Sequence, residues 1–100
     1  MKLVYIHGAN ATSESFNYIK SKLGTGLDLN YDSRNGFENN LKDMQSALED
    51  HKDLVFVAHS LGGIYSLHLA NSMPSAVKGA VTLSTPYGGA EVADYAQYFL

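Results

Sequence analysis

Leu54-Val55-Phe56-Val57-Ala58-His59-Ser60-Leu61-Gly62-Gly63 decides how this chain folds. Leu54 to Ala58 is wholly apolar, as a parallel strand buried on both faces must be. Leu61 to Ser72 reads as a helix that is apolar nearly all round, stopped by Pro74. Ser60 therefore stands on the turn between the most central-looking strand and the most buried helix. A sharp turn of this kind thrusts the serine hydroxyl out at the carboxyl edge of the sheet. It also crowds the backbone, so the residues two before and two after the serine must be small. Ala58 and Gly62 meet that demand, and Gly63 eases the packing of the helix. The amino end of the helix turns its free N–H groups and positive dipole end toward the site, which favours a developing oxyanion. The other reading of the same residues is a serine N-cap on a tightly packed helix, since serine is a preferred cap and small residues also serve packing.

Outward from this stretch, short strand-like runs alternate with helical periodicity. Leu3 to Ile6 is a second continuous apolar run. Ser15 to Leu23 places Phe16, Ile19 and Leu23 on one helical face, with Gly24 as C-terminal cap. In Leu27 to Asp32 the apolar Leu27, Leu29 and Tyr31 alternate with Asp28, Asn30 and Asp32, the pattern of an edge strand buried on one side. From Gly36 to His51 the residues Phe37, Leu41, Met44 and Leu48 mark an amphipathic helix. Val77 to Ser84 is a fourth strand, and the aromatic tail from Tyr87 to Leu100 reads as helical from Glu91 onward. Alternation of this kind predicts an α/β fold, with a parallel sheet, right-handed crossovers and helices on both faces.

Composition is consistent with one modest core. A chain of 100 residues is a single domain at most and buries roughly 60–70% of the surface its unfolded form exposes. An apolar fraction of 45% against 17% charged residues fits a globular chain, not a disordered one. The net charge of −3 and scattered basic residues argue against nucleic acid as a partner. With no cysteine, disulfides, thiolate metal sites and a cysteine nucleophile are excluded, and neither a metal nor a cofactor is expected. Met1-Lys2 leads straight into the first apolar run, which is too short for a signal peptide or a membrane span, so the expected location is cytoplasmic.

Ile6-His7-Gly8-Ala9-Asn10 follows the first buried strand. Gly8 permits a backbone turn that other residues resist. If the first and third strands are neighbours, this loop hangs beside Ser60, and one of its backbone N–H groups could join that of Leu61 in an oxyanion hole. A histidine at such a place is more often structural, holding its loop by hydrogen bonds.

Taken together, these residues resemble the α/β-hydrolase superfamily, in particular the small bacterial lipases and esterases. The resemblance runs through His7-Gly8, Ala58-His59-Ser60-Leu61-Gly62-Gly63 and Ser84-Thr85-Pro86-Tyr87-Gly88-Gly89. It implies that Ser60 is the nucleophile and that the backbone N–H groups of Leu61 and Ala9 form the oxyanion hole. His7, Gly8, His59 and Gly62 are supporting residues. His59 is adjacent to Ser60 on an extended strand, so its side chain points to the opposite side. The stretch from Ser84 to Gly89 leads, in lipase-like members, toward a substrate-covering lid. By itself it is equally a plain turn after a strand. The substrate implied is a small-molecule or lipid ester.

Family order is serine, acid, then histidine, on loops after successive strands. After Ser60 the only acidic residues are Glu91 and Asp94, and the only later histidine is His68. His68 lies about two turns, ~12 Å, into the following helix, a poor position for a base. His51 falls before the central strand, at the other edge of the sheet. The expected strand order is 2-1-3-4, with an apolar fourth strand whose open edge invites self-association. Residues 1–100 thus read as a single, incomplete α/β-hydrolase-type domain whose catalytic acid and histidine lie elsewhere. Two further readings are a non-catalytic binding or assembly module and a nucleotide-binding domain. The latter lacks both G-x-G-x-x-G and G-x-x-x-x-G-K-[ST].

Overall fold

Apolar runs separated by amphipathic segments give the chain its layered form. The computed structural model describes residues 1–9, 12–84 and 94–99. Strand β1 (Lys2–Ile6) leads through a 3-10 turn (Ser13–Phe16) into α1 (Asn17–Leu23). After β2 (Leu27–Leu29) come a second 3-10 turn (Ser33–Asn35) and α2 (Phe37–Leu48). The chain continues as β3 (Leu54–His59), α3 (Leu61–Ser72), β4 (Val77–Ser84) and β5 (Asp94–Phe99).

These strands form one sheet in the order β2-β1-β3-β4-β5. The first four are parallel, in the expected 2-1-3-4 order, and β5 runs antiparallel to β4. Leu29, Ile6, Ala58 and Thr82 stand in one row across the sheet. The chain therefore leaves β1, β3 and β4 at the same edge, which is what brings residues 7–9 beside Ser60.

Strand alternation sorts the side chains onto two faces. Val4, Ile6, Phe56, Ala58 and Ala80 belong to a large cluster with Leu41, Met44 and Leu48 of α2 and Tyr65 and Leu69 of α3. Tyr5 and Val57 point the other way and pack with Phe16, flanked by the half-buried Leu3 and Ile19. This second cluster is small. The Tyr5 and Phe16 rings meet at 5.3 Å between centroids, and the Tyr5 hydroxyl donates to the Gly24 carbonyl at 2.6 Å.

Four elements depart from the sequence expectation: α1 begins at Asn17, since Ser13–Phe16 form a 3-10 turn, and its Leu23 is exposed. β2 stops at Leu29 rather than Asp32, because the Tyr31 N–H bonds to a side chain, His7 Nε2, instead of a strand neighbour. α2 covers Phe37–Leu48, inside the expected Gly36–His51. Over Asp94–Phe99 the tail is a strand and not a helix, in keeping with the strand preference of Tyr95, Tyr98 and Phe99. β5 thereby pairs with the β4 edge that was expected to be open and to invite self-association.

The small face rests on Phe16, which is 2% exposed. Phe16→Ala is expected to destabilise the chain by about 3–5 kcal/mol. Leu23→Ala, at a side chain 58% exposed at the end of α1, should change stability by no more than about 0.5 kcal/mol. Urea unfolding of the two variants checks the contrast.

Candidate active site

Ser60 links β3 to α3 with φ 55° and ψ −121°. Side chains with a Cβ seldom adopt this conformation, and holding one there costs about 1–3 kcal/mol. Among the described non-glycine residues only Asp53, before β3, shares a positive φ. The turn is held from both sides. The Ser60 N–H donates to the Leu83 carbonyl of β4 at 2.8 Å, and the Ser60 carbonyl accepts from the Gly63 N–H at 2.9 Å. Ser60 occupies the N-cap position of α3, yet its side chain makes no capping hydrogen bond to the helix. The bond on which the plain N-cap reading depends is not made.

Close backbone approach sets the neighbours of Ser60. A Cβ on Gly62 would run into the Ile6 carbonyl oxygen and come within 2.6 Å of that of His7. The first turn of α3 therefore lies directly on the end of β1, and no other residue fits there. A Cβ on Gly8 would stand 3.2 Å from Ser60 Cβ and 3.4 Å from His59 Nδ1. The Gly8 loop is thus beside Ser60, with the half-buried His59 ring next to it. Leu61, half-buried, opens α3, and the exposed Ala9 follows Gly8.

His7 is 1% exposed and fully engaged. Its Nε2 accepts from the Tyr31 N–H at 3.1 Å, and its Nδ1 lies 2.7 Å from the Gly8 carbonyl oxygen. A backbone N–H can only donate and a carbonyl oxygen can only accept. The ring is therefore neutral, with its proton on Nδ1. Both ring nitrogens are thus spent on the backbone around the loop. His68 is exposed, against the edge of the Phe37 ring at 5.0 Å between centroids. His51 lies between α2 and β3, where it lines an open groove with Lys42, Glu49 and Met73. Asp94 begins β5 opposite Ser84. Glu91 and the stretch from Thr85 to Gly89 are outside the described residues.

Sequence reading missed the polar groups under the loop. Tyr31 stacks on His7 at 4.3 Å and 5°, and its hydroxyl donates to the His7 carbonyl oxygen at 2.8 Å. Its own hydroxyl pKa is pushed up to about 12, by burial first and by the neighbouring Tyr65 second. Tyr65 meets Tyr31 edge-on at 4.9 Å. Asn40, 2% exposed, donates from Nδ2 to the Asp32 carbonyl oxygen and to the Tyr65 hydroxyl. The signal was available at Asn40, an amide lodged in the apolar stripe of α2 between Phe37 and Met44.

Among the described residues no group of three or more His, Cys, Asp or Glu side chains is placed to hold a metal. None of their helices is long and apolar enough to cross a membrane.

A solved extracellular α/β-hydrolase from a Paenibacillus species superposes on 84% of this chain with a TM-score of 0.66 and 24% sequence identity. The fold is that of the α/β-hydrolases. The Paenibacillus protein is described as structurally and functionally homologous to tobacco salicylic acid binding protein 2, and the present chain spans 40% of its length. No protein-family model matches the sequence, and a search of curated proteins gives no match. In the α/β-hydrolase frame, β1, β3 and α3 carry the His7-Gly8 loop, Ser60 and Gly62 at one sheet edge.

Two outcomes follow from this geometry. Because the Ser60 backbone suits glycine, Ser60→Gly should be about 1 kcal/mol more stable than Ser60→Ala. In a domain of this size that amounts to a melting temperature about 4–8 °C higher. An alanine variant that melts at or above the glycine variant contradicts the strain. The second concerns Asp32, which accepts hydrogen bonds from the Arg34 side chain and backbone N–H, lowering its pKa from an ordinary 3.8 to about 2. With the folded value depressed, the contribution to stability is present above pH about 4 and is lost as pH falls toward 2. The carboxyl carbon of Asp32, followed by NMR, should titrate near 2 in the native chain and higher in Arg34→Gln, still below the ordinary value because the backbone N–H of residue 34 continues to donate.

Proposed function

We propose that residues 1–100 form the nucleophile-bearing part of a serine hydrolase that cleaves carboxylic esters, in the manner of a lipase or esterase. The observation that carries this reading is the backbone of Ser60, a non-glycine residue held at positive φ where a parallel strand meets a buried helix. Such strain is kept where surrounding structure enforces it, and it sets the side chain on the crest of the turn.

In this reading a base takes the hydroxyl proton of Ser60 as Oγ bonds to the ester carbonyl carbon. The carbonyl oxygen becomes an oxyanion, held by the amides of Leu61 and Ala9 beside the positive end of α3. The bond to the alcohol oxygen then breaks, and the alcohol leaves with the proton held by the base. Water attacks the acyl-serine in the reverse sense, giving the carboxylic acid and restoring the Ser60 hydroxyl. His7 and Gly8 shape the loop that carries the Ala9 amide, Gly62 seats α3 against it, and His59 flanks Gly8. The base and its acidic partner belong to a further part of the hydrolase domain. The 40% span relative to the solved α/β-hydrolase supports that division.

A non-catalytic binding or assembly module is the second reading. It is favoured by the full engagement of His7 and by the positions of His51 and His68 away from Ser60.

Labelling separates the two readings. On the hydrolase domain that includes the base, a p-nitrophenyl alkylphosphonate should place a single phosphonyl group on Ser60, located by mass spectrometry, and none on Ser60→Ala. Equal labelling of the two chains ends the hydrolase reading. Turnover of a short-chain ester by the 100-residue chain alone should not exceed the roughly 10³–10⁴-fold over water that a hole and binding supply without a base.

A further inference from the structure

Gly8 and Ala9 share a peptide bond, and that bond ties the direction of one group to the other. In a planar trans peptide the carbonyl of the first residue and the N–H of the second point opposite ways, and the described peptides contain no cis bond. Whatever grips the Gly8 carbonyl oxygen therefore aims the Ala9 N–H. A glycine peptide left alone would rotate readily, since Gly8 has no Cβ to restrict it.

The grip is the His7 ring, and its proton is placed by Tyr31. Nδ1 can donate to the Gly8 carbonyl only in the tautomer that leaves Nε2 bare. The Tyr31 N–H, 3.1 Å from Nε2, selects that tautomer. The Tyr31 hydroxyl donates to the His7 carbonyl oxygen at 2.8 Å, which fixes the preceding peptide plane as well. The stack at 4.3 Å and 5° keeps the imidazole in the plane that both bonds require. Tyr31 is in turn edge-on to Tyr65, whose hydroxyl is bonded to the buried Asn40. Two consecutive peptides of the loop beside Ser60 are thus held by one tyrosine on the neighbouring strand connection.

We propose that Tyr31 is a positioning residue: through the His7 tautomer and the His7 carbonyl it sets the direction of the Ala9 amide. The inference deepens the hydrolase reading and rests on it for the meaning of that direction, the approach of a donor to an oxyanion at Ser60. Tyr31 touches no reacting atom and acts only through His7.

The test uses the chain labelled with ¹⁵N, in wild-type form and as Tyr31→Phe, which keeps the ring stack and backbone N–H but loses the hydroxyl. Tyr65→Phe serves as the control, since it removes a buried hydroxyl from the same ring cluster without touching His7. In the wild type, imidazole nitrogen shifts should show a proton on Nδ1 and a bare Nε2. The Gly8 and Ala9 amides should shift and exchange at least about tenfold faster with solvent in Tyr31→Phe, as loss of one hydrogen bond implies, and stay near wild type in Tyr65→Phe. Phosphonylation of Ser60, followed on the hydrolase domain that includes the base, should slow about tenfold in Tyr31→Phe for the same reason. A wild-type His7 ring protonated on Nε2 overturns the proposal. So do Gly8 and Ala9 amides that do not respond to Tyr31→Phe, whatever Ser60 does. A wild-type Ser60 that takes no phosphonate, with the loop amides responding as expected, overturns the hydrolase reading while the hold on the loop stands. Ser60 labelled equally fast in wild type and Tyr31→Phe overturns the positioning role and leaves the hydrolase reading intact.

Discussion

Between the first turn of α3 and the end of β1 there is no space for a methyl group. The backbone at Gly62 rests against the carbonyl oxygens of Ile6 and His7, and any side chain there would have to displace the helix or the strand end. Much else depends on this contact. It draws the amino end of α3 down onto the sheet and places the Gly8 loop within van der Waals reach of Ser60. It also brings Tyr65 and Leu69 into the core with Val4 and Phe56. A residue with a Cβ at position 62 would separate the two loops whose nearness makes the site.

The strained backbone of Ser60 is the complement of that approach. Left free, the turn would relax, and the means that prevent it lie on three elements. β4 accepts the Ser60 N–H at Leu83, α3 donates to the Ser60 carbonyl from Gly63, and the loop after β1 closes over the side at Gly8. A polar layer underpins the loop in turn, running from His7 through Tyr31 and Tyr65 to Asn40. No buried side-chain nitrogen or oxygen among the described residues lacks a partner. In a low-dielectric setting a network satisfied in this way resists rearrangement, because breaking any member strands a buried dipole.

The parts of the fold legible in the sequence were those governed by burial on both faces. Leu54 to Ala58 and Leu3 to Ile6 had no polar alternative, and α3 began at Leu61 and ended at Ser72 as its apolar run and Pro74 required. The strand order was implied by the resemblance to the α/β-hydrolases, and the turn at Ser60 followed from the small residues around it. What could not be read was set by partners distant in sequence. Tyr31 continued the alternation of β2, but its N–H was claimed by a histidine 24 residues away, so the strand ended early. Asn40, passed over within the apolar stripe of α2, is a buried donor to the Asp32 carbonyl and the Tyr65 hydroxyl. The tail had the aromatic content of either a helix or a strand, and the waiting edge of β4 decided it. His7 was recognisable as a loop-holding residue, whereas its tautomer depended on Tyr31.

The two faces of the sheet are unequally built, and that asymmetry governs how the molecule fluctuates. Among the described residues, fourteen buried side chains knit α2, α3 and the strands together on one face, against three on the other. α1 contributes no fully buried residue of its own and is held through Phe16 just ahead of it. Native proteins open in cooperative units whose free energies track such local burial. By that measure the α1 segment, which has no buried residue, should open more readily than α3, which has six. Because Ser60 is anchored to α3 and β4, excursions that release α1 leave the strained turn standing. The site is carried by the slow part of the molecule, and the fast part lies behind it.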